Sequence, residues 1–193
     1  NTSPVFIMNY AVIKSLGRDE LILPSIAILF LSPILCSFVF RRFYFGRKKG
    51  KTYVSGISDS HIQFDFQILD DTIMNGFETI TKVGGYIILF SVLITLAQEV
   101  PFQSVVWKLL LLPSLEVTNG ISMIVKNHVS FSVVFILVMG LTSFGGICSV
   151  AQTQCMIQGT GLRIVPYSIE KLITAVVTSF LAFIYIQFGL HGF

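Results

Sequence analysis

The residues from Leu21 to Phe40 carry no charge, and a run of about 20 apolar residues is what a helix needs to cross a bilayer. A segment of that kind has no water to satisfy its backbone, so it must satisfy its own N–H and C=O groups as a helix. The rest of the chain follows suit. Of its residues 53% are hydrophobic and only 12% are charged, and the mean hydropathy is +0.80. A soluble domain of this length could not hide so much apolar surface. The sequence therefore predicts an all-α, polytopic helical membrane protein without a separate soluble domain, located in the cell (plasma) membrane.

Asn1, Thr2 and Ser3 before Pro4 read as a helix N-cap with proline in the first turn. Pro4 to Ile13 then makes an apolar helix too short to span. A chain that opens in this way, with no signal peptide, reads as a fragment of a longer one. Pro24 and Pro33 are expected to bend the Leu21–Phe40 crossing, with Ser32 and Ser37 helping to satisfy freed backbone groups. Arg41, Arg42, Arg47, Lys48, Lys49 and Lys51 follow at once and assign residues 41–61 to a basic cytoplasmic loop. Nucleic-acid or phosphoinositide binding is the sharper reading of this cluster; a topology signal is the ordinary one. Ile62, Phe66, Leu69, Ile73, Phe77 and Ile80 recur at helical spacing between acidic residues, which predicts an amphipathic helix along the inner interface or against the protein's own helices. Ile80 to Ala97 is the next crossing, with Gly84 and Gly85 allowing close helix approach.

The next stretch, Val105 to Val125, reads as a crossing helix with polar residues inside it: Glu116, Thr118 and Asn119. A carboxylate at mid-bilayer depth costs on the order of 3 kcal/mol even on lenient scales, so it is expected to face a cavity, an ion or a partner. Breaks are expected at Pro113 and at Thr118-Asn119-Gly120, with Lys126 and His128 on the inside. Val129 to Leu141 and Ile147 to Ile157 are each of half length and flank Thr142-Ser143-Phe144-Gly145-Gly146. They read as a re-entrant hairpin with its tip near the bilayer centre; a single tilted, kinked span is the rival layout. Ser168 to Gly189 is the last crossing, which puts Arg163 inside and the C-terminus outside.

In this layout Glu116 and Asn119 share a depth with the Ser143–Gly146 tip. Free N–H groups would come from the half-helix after Gly146, and carbonyls from the break at Thr118–Gly120. Discontinuous helices meeting at the midplane hold solutes and coupling ions in secondary transporters. The candidate substrate site is thus Glu116, Thr118, Asn119, Ser143, Gly145, Gly146 and Gln152. The plain readings stand beside it. Glu116 is an interfacial residue if Pro113 ends the membrane segment. Gly145 and Gly146 serve only to let helices touch. Gln152 and Gln154 bond across helices, worth about 1 kcal/mol or less.

Cys36, Cys148 and Cys155 lie in apolar segments without metal spacing, and His61, His128 and His191 form no cluster. No phosphate loop, nucleophile elbow or zinc signature is present. The expectation is a protein that is not an enzyme and uses no cofactor or metal.

Several ordered segments carry a resemblance: Asn1-Thr2-Ser3-Pro4-Val5-Phe6, Gly84-Gly85-Tyr86-Ile87-Ile88-Leu89-Phe90-Ser91-Val92, Leu115-Glu116-Val117-Thr118-Asn119-Gly120, and Ser143-Phe144-Gly145-Gly146 with Ala151-Gln152. Together they resemble the sporulation integral membrane protein YlbJ family of spore-forming Firmicutes, of the nucleoside-recognition or Gate group, over its C-terminal half. The resemblance implies one half of an inverted-repeat Gate-type fold. Residues 1–40 would be the end of the first repeat and 62–193 the second, in a single transmembrane domain. It further implies a transporter-like core for a small polar solute such as a nucleoside, with a coupling ion, and a role in sporulation. The alternative is a structural or assembly protein of sporulation with no transport activity. The partners expected are the lipid bilayer and that solute and ion, with no nucleic acid; an oligomer is compatible.

Overall fold

The computed structural model describes residues 3–45, 66–100 and 104–189, and among these every regular element is helical. Beyond Arg41 and Arg42, most of the expected basic loop lies outside the described residues, as do Asn1, Thr2, His61 and His191. The helices are α1 (Pro4–Leu16), α2 (Ile22–Phe45), α3 (Phe66–Gln98), α4 (Val117–Lys126), α5 (Phe131–Phe144), α6 (Gly146–Met156) and α7 (Ile164–Gly189). Among the described residues four segments are long and apolar enough to cross a membrane: Asp19–Arg42, Phe66–Gln98, Phe131–Met156 and Ile164–Gly189.

α1 starts as the sequence predicts. Ser3 caps it, its side chain accepting from the Val5 N–H at 3.3 Å, and Pro4 fills the first turn. From Ile7 the helix widens to i→i+5 bonding and stops at Gly17, whose φ of 66° only glycine adopts cheaply. In α2 the Ser32 hydroxyl donates to the Ile28 carbonyl at 3.0 Å, one residue before the Leu29 carbonyl that Pro33 leaves without its helical donor, so it does not take up the freed group.

α7 is the ruler for the bundle. Along it Tyr185 meets the ring of Phe135, Ser179 meets Gly140, Thr178 bonds Ser143, and Tyr167 bonds Thr153. Each step forward along α5 and α6 is matched by a step back along α7. α5 and α6 therefore run in one direction, antiparallel to α7, and the chain crosses straight through Gly145. The expected re-entrant hairpin over residues 129–157 is overturned, and the kinked single span is what forms. Gly145 at φ 83° and Gly146 at φ 81° bend the crossing without reversing it. Reversal would also have needed α5 and α6 to pack on each other; α5 instead packs on α4 and α7, and α6 on α3 and the turn at Pro113–Leu115.

The fold-back occurs one element earlier. A short wide helix, Trp107–Leu111, leads into the tight turn Pro113–Leu115, and α4 leaves from Glu116. Gly120 lies directly against the Pro113 carbonyl, which a continuing helix would leave far behind. α4 then packs antiparallel to α5, with Gly120 by Leu141 and Ile121 and Ile124 among Val134 and Val138. α3 approaches the same turn through Ser91, while its Lys82 lies within electrostatic reach of Cys155, so α3 opposes α6. Residues 104–126 thus descend from the Gln98 end of α3 to a tip and return. The expected crossing helix over Val105 to Val125 is not one.

Three further expectations change. The amphipathic segment from Phe66 is continuous with the next crossing as one helix, because Gly84 and Gly85 sit in helical geometry and break nothing. No atom lies within 4 Å of where a side chain would stand on either glycine, so they mediate no close helix contact. Lys126 and His128 lie at the Phe131 end of the bundle, opposite Arg41 and Arg163, because the hairpin returns to the end it entered from. Arg41 and Arg163 do share one end, since α2 also runs antiparallel to α7: Ser32 meets Thr178, and Leu21 and Ile28 pack with Ala182 and Ile186.

Candidate functional site at the hairpin tip

Pro113 has no N–H to continue the preceding helix, and Glu116 adopts extended backbone (φ −144°, ψ 131°). Glu116 is then the N-cap of α4. Its Oε1 accepts from the Thr118 N–H at 2.9 Å and its Oε2 from the Asn119 N–H at 2.8 Å. The Asn119 amide also turns back, donating from Nδ2 to Oε2 at 3.0 Å and to the Ser91 hydroxyl at 2.8 Å. Ser91 in turn donates to the Ile87 carbonyl of α3. A negative group at a helix start also meets the positive end of its dipole. Glu116 is 3% exposed and makes no ion pair among the described residues.

The expected helix stop at Thr118-Asn119-Gly120 is therefore corrected: these residues form the first turn of α4. Thr118 and Asn119 turn their N–H groups toward the Glu116 carboxylate, Gly120 donates to the Glu116 backbone carbonyl, and the break lies at Pro113–Glu116. The Thr118 carbonyl accepts from the Tyr10 hydroxyl of α1 at 2.8 Å. Tyr10 and Thr118 lie side by side, and Arg18 at the end of α1 covers the ring of Phe131 at 4.2 Å, so α1 and α4 run parallel from mid-bundle to one end.

The tip touches the crossing at its break. A side chain on Gly146 would stand 3.2 Å from the Ser114 and Leu115 carbonyls and from the Val117 N–H. The juxtaposition of Glu116 with Gly146 that the sequence predicts is thus formed, with the roles of hairpin and crossing exchanged. Measured along the helices, at about 1.5 Å per residue, the break lies about 21 Å from Phe131 and about 16 Å from Met156. Glu116 is thus a helix-end residue, but it lies far from either end of the bundle, against its plain reading as an interfacial residue.

Of the seven predicted residues, four are brought together and three are not. Glu116, Thr118, Asn119 and Gly146 meet at the tip. Gln152 stays on α6 and donates to the Cys148 Sγ at 3.2 Å. Gly145 supplies the bend, its N–H bonded to the Leu141 carbonyl at 2.8 Å. Ser143 points the other way, into a hydroxyl cluster with Thr178 at 2.9 Å, itself 2.7 Å from Ser32. Ser143 also lines a cavity of about 560 Å³ between α2 and α7. Sequence reasoning missed Ser91, Tyr10 and Thr178. Hydroxyls in apolar helices were the available signal, and nothing local told which of them faced another helix. No group of three or more metal-ligating side chains exists among the described residues.

No protein-family model, curated protein or solved structure matches this chain.

Proposed function

We propose that the protein is an integral membrane protein whose core binds and moves a small polar solute through the junction of the 104–126 hairpin tip with the Gly145–Gly146 break. The observation that carries this reading is Glu116: a carboxylate buried at mid-bundle, bonded to Asn119, where two interrupted segments meet. Interrupted helices with polar groups at that depth suit solute and ion coordination in secondary transport. A nucleoside-like solute, a coupling ion, a sporulation setting in the plasma membrane and membership of an inverted-repeat Gate-type fold rest on the resemblance of the sequence segments. The basic residues at the Arg41 end favour a cytoplasmic placement of that end.

A specific observation favours a second reading. Both Glu116 oxygens already accept bonds from within the protein, as a purely structural helix cap would. Uptake of radiolabelled nucleosides into proteoliposomes containing the full-length protein separates the two. Transport predicts uptake that Glu116→Gln lowers while the protein stays folded. Equal uptake by wild type, variant and empty vesicles assigns Glu116 to structure alone.

A further inference from the structure

We propose that the cleft between α2 and α7 binds one anionic phospholipid from the leaflet at the Arg41 end. The inference is independent of solute transport. The cleft extends from Arg41 to Leu29 along α2, about 18 Å at about 1.5 Å per residue. That is close to half of a hydrocarbon core about 30 Å thick, the depth reached by one lipid tail. Its walls are apolar, with Phe30, Pro33 and Phe40 along α2. Three of the four hydroxyls that line it are engaged elsewhere: Thr174 donates to the Glu170 carbonyl at 2.7 Å, Ser143 bonds Thr178, and Tyr167 accepts from Thr153 at 3.4 Å, which leaves Ser37 at the exposed rim. A freely soluble polar solute would find few partners along such a wall.

The mouth has the opposite character. Arg41 and Lys171 stand there with Tyr167, the Lys171 ammonium 5.9 Å from the Tyr167 ring centre. Glu170 also lines the mouth, so the described charged side chains there sum to a net positive charge. Basic side chains at a helix end over an apolar groove match a phosphate head above an acyl chain. A zwitterionic lipid would fill the groove equally but gain less at the mouth.

Native mass spectrometry of the full-length protein, supplied with phosphatidylglycerol or phosphatidylcholine, tests the assignment. The expected result is one phosphatidylglycerol retained in preference to phosphatidylcholine. Lys171→Gln should weaken retention about five-fold and Arg41→Gln with Lys171→Gln about twenty-five-fold, from about 1 kcal/mol per basic side chain near the surface. Cys36→Trp, which fills the cleft, should abolish retention with the mouth intact; Ser37→Phe at the exposed rim is the second blocker if that variant does not fold. Unchanged melting temperatures in phosphatidylcholine show that the variants are folded. Equal retention of the two lipids, or retention unaffected by the folded variants, overturns the proposal. Displacement of the lipid by millimolar inorganic phosphate also overturns it, in favour of a site for soluble phosphate compounds.

Discussion

Glu116 holds Asn119 twice, through the backbone N–H at 2.8 Å and the side-chain amide at 3.0 Å, and Asn119 carries the bond onward to Ser91 of α3. This chain of bonds ties the hairpin tip to α3, which among the described residues packs mainly on α6. Glu116→Ala should therefore cost both a cap and the satisfaction of buried donors, about 2–4 kcal/mol together. Glu116→Gln retains one carbonyl oxygen and should cost about 1–2 kcal/mol. Melting in detergent measures both; an alanine variant as stable as wild type would refute the capping role.

Glycine substitutions should sort by position rather than by motif. A side chain on Gly120 collides with the Pro113 carbonyl, and one on Gly146 crowds three backbone atoms at 3.2 Å in a left-handed conformation. Both alanine variants should destabilise the protein, Gly146→Ala by at least about 1–2 kcal/mol from the backbone alone. Gly84→Ala and Gly85→Ala meet open space within a helix and should stabilise it, by up to about 1 kcal/mol each. The same melting assay ranks the four, and a harmless Gly120→Ala would contradict the fold-back.

The exchange of hairpin and crossing has a topological consequence. With the native cysteines replaced, single cysteines at Asn127 and Gly161 should label from opposite faces of the membrane. Cysteines at Glu99 and Asn127 should label from the same face. Labelling of Asn127 and Gly161 from one face would restore the re-entrant reading of 129–157.

Thr178 joins α2, α5 and α7 through one hydroxyl, with Ser32 at 2.7 Å and Ser143 at 2.9 Å. Thr178→Val keeps the shape and removes the hub. Interhelical bonds of this kind are worth about 0.6 kcal/mol on average within membranes, so a loss of about 1 kcal/mol is expected. Thr178→Ser should lie between the two. A valine variant as stable as wild type would mean that the cluster fills space only.

The residue pattern alone was enough for the helical class and most of the elements. Uncharged runs such as Leu21–Phe40 have one structural solution in lipid, and Ser3–Pro4 is a helix start in any context, because these are properties of a backbone and its nearest neighbours. It also marked Glu116 and Gly146 as a pair, since a buried carboxylate and a doubled glycine are both costly unless something compensates them. It did not determine which interruption reverses the chain. Pro113 and Gly145-Gly146 are equally good helix breakers, and the direction after each is decided by what the next segment packs against. Gly120 can lie on the Pro113 carbonyl, and α6 finds α3 and Tyr167 beyond the bend. Nor could it separate Ser143 from Glu116. Both are polar and at one depth, but the face each presents follows from the rotation of its helix, which only the packed bundle fixes. The cleft under Arg41 and Lys171 was unreadable for the same reason, because its walls come from helices more than a hundred residues apart in the chain.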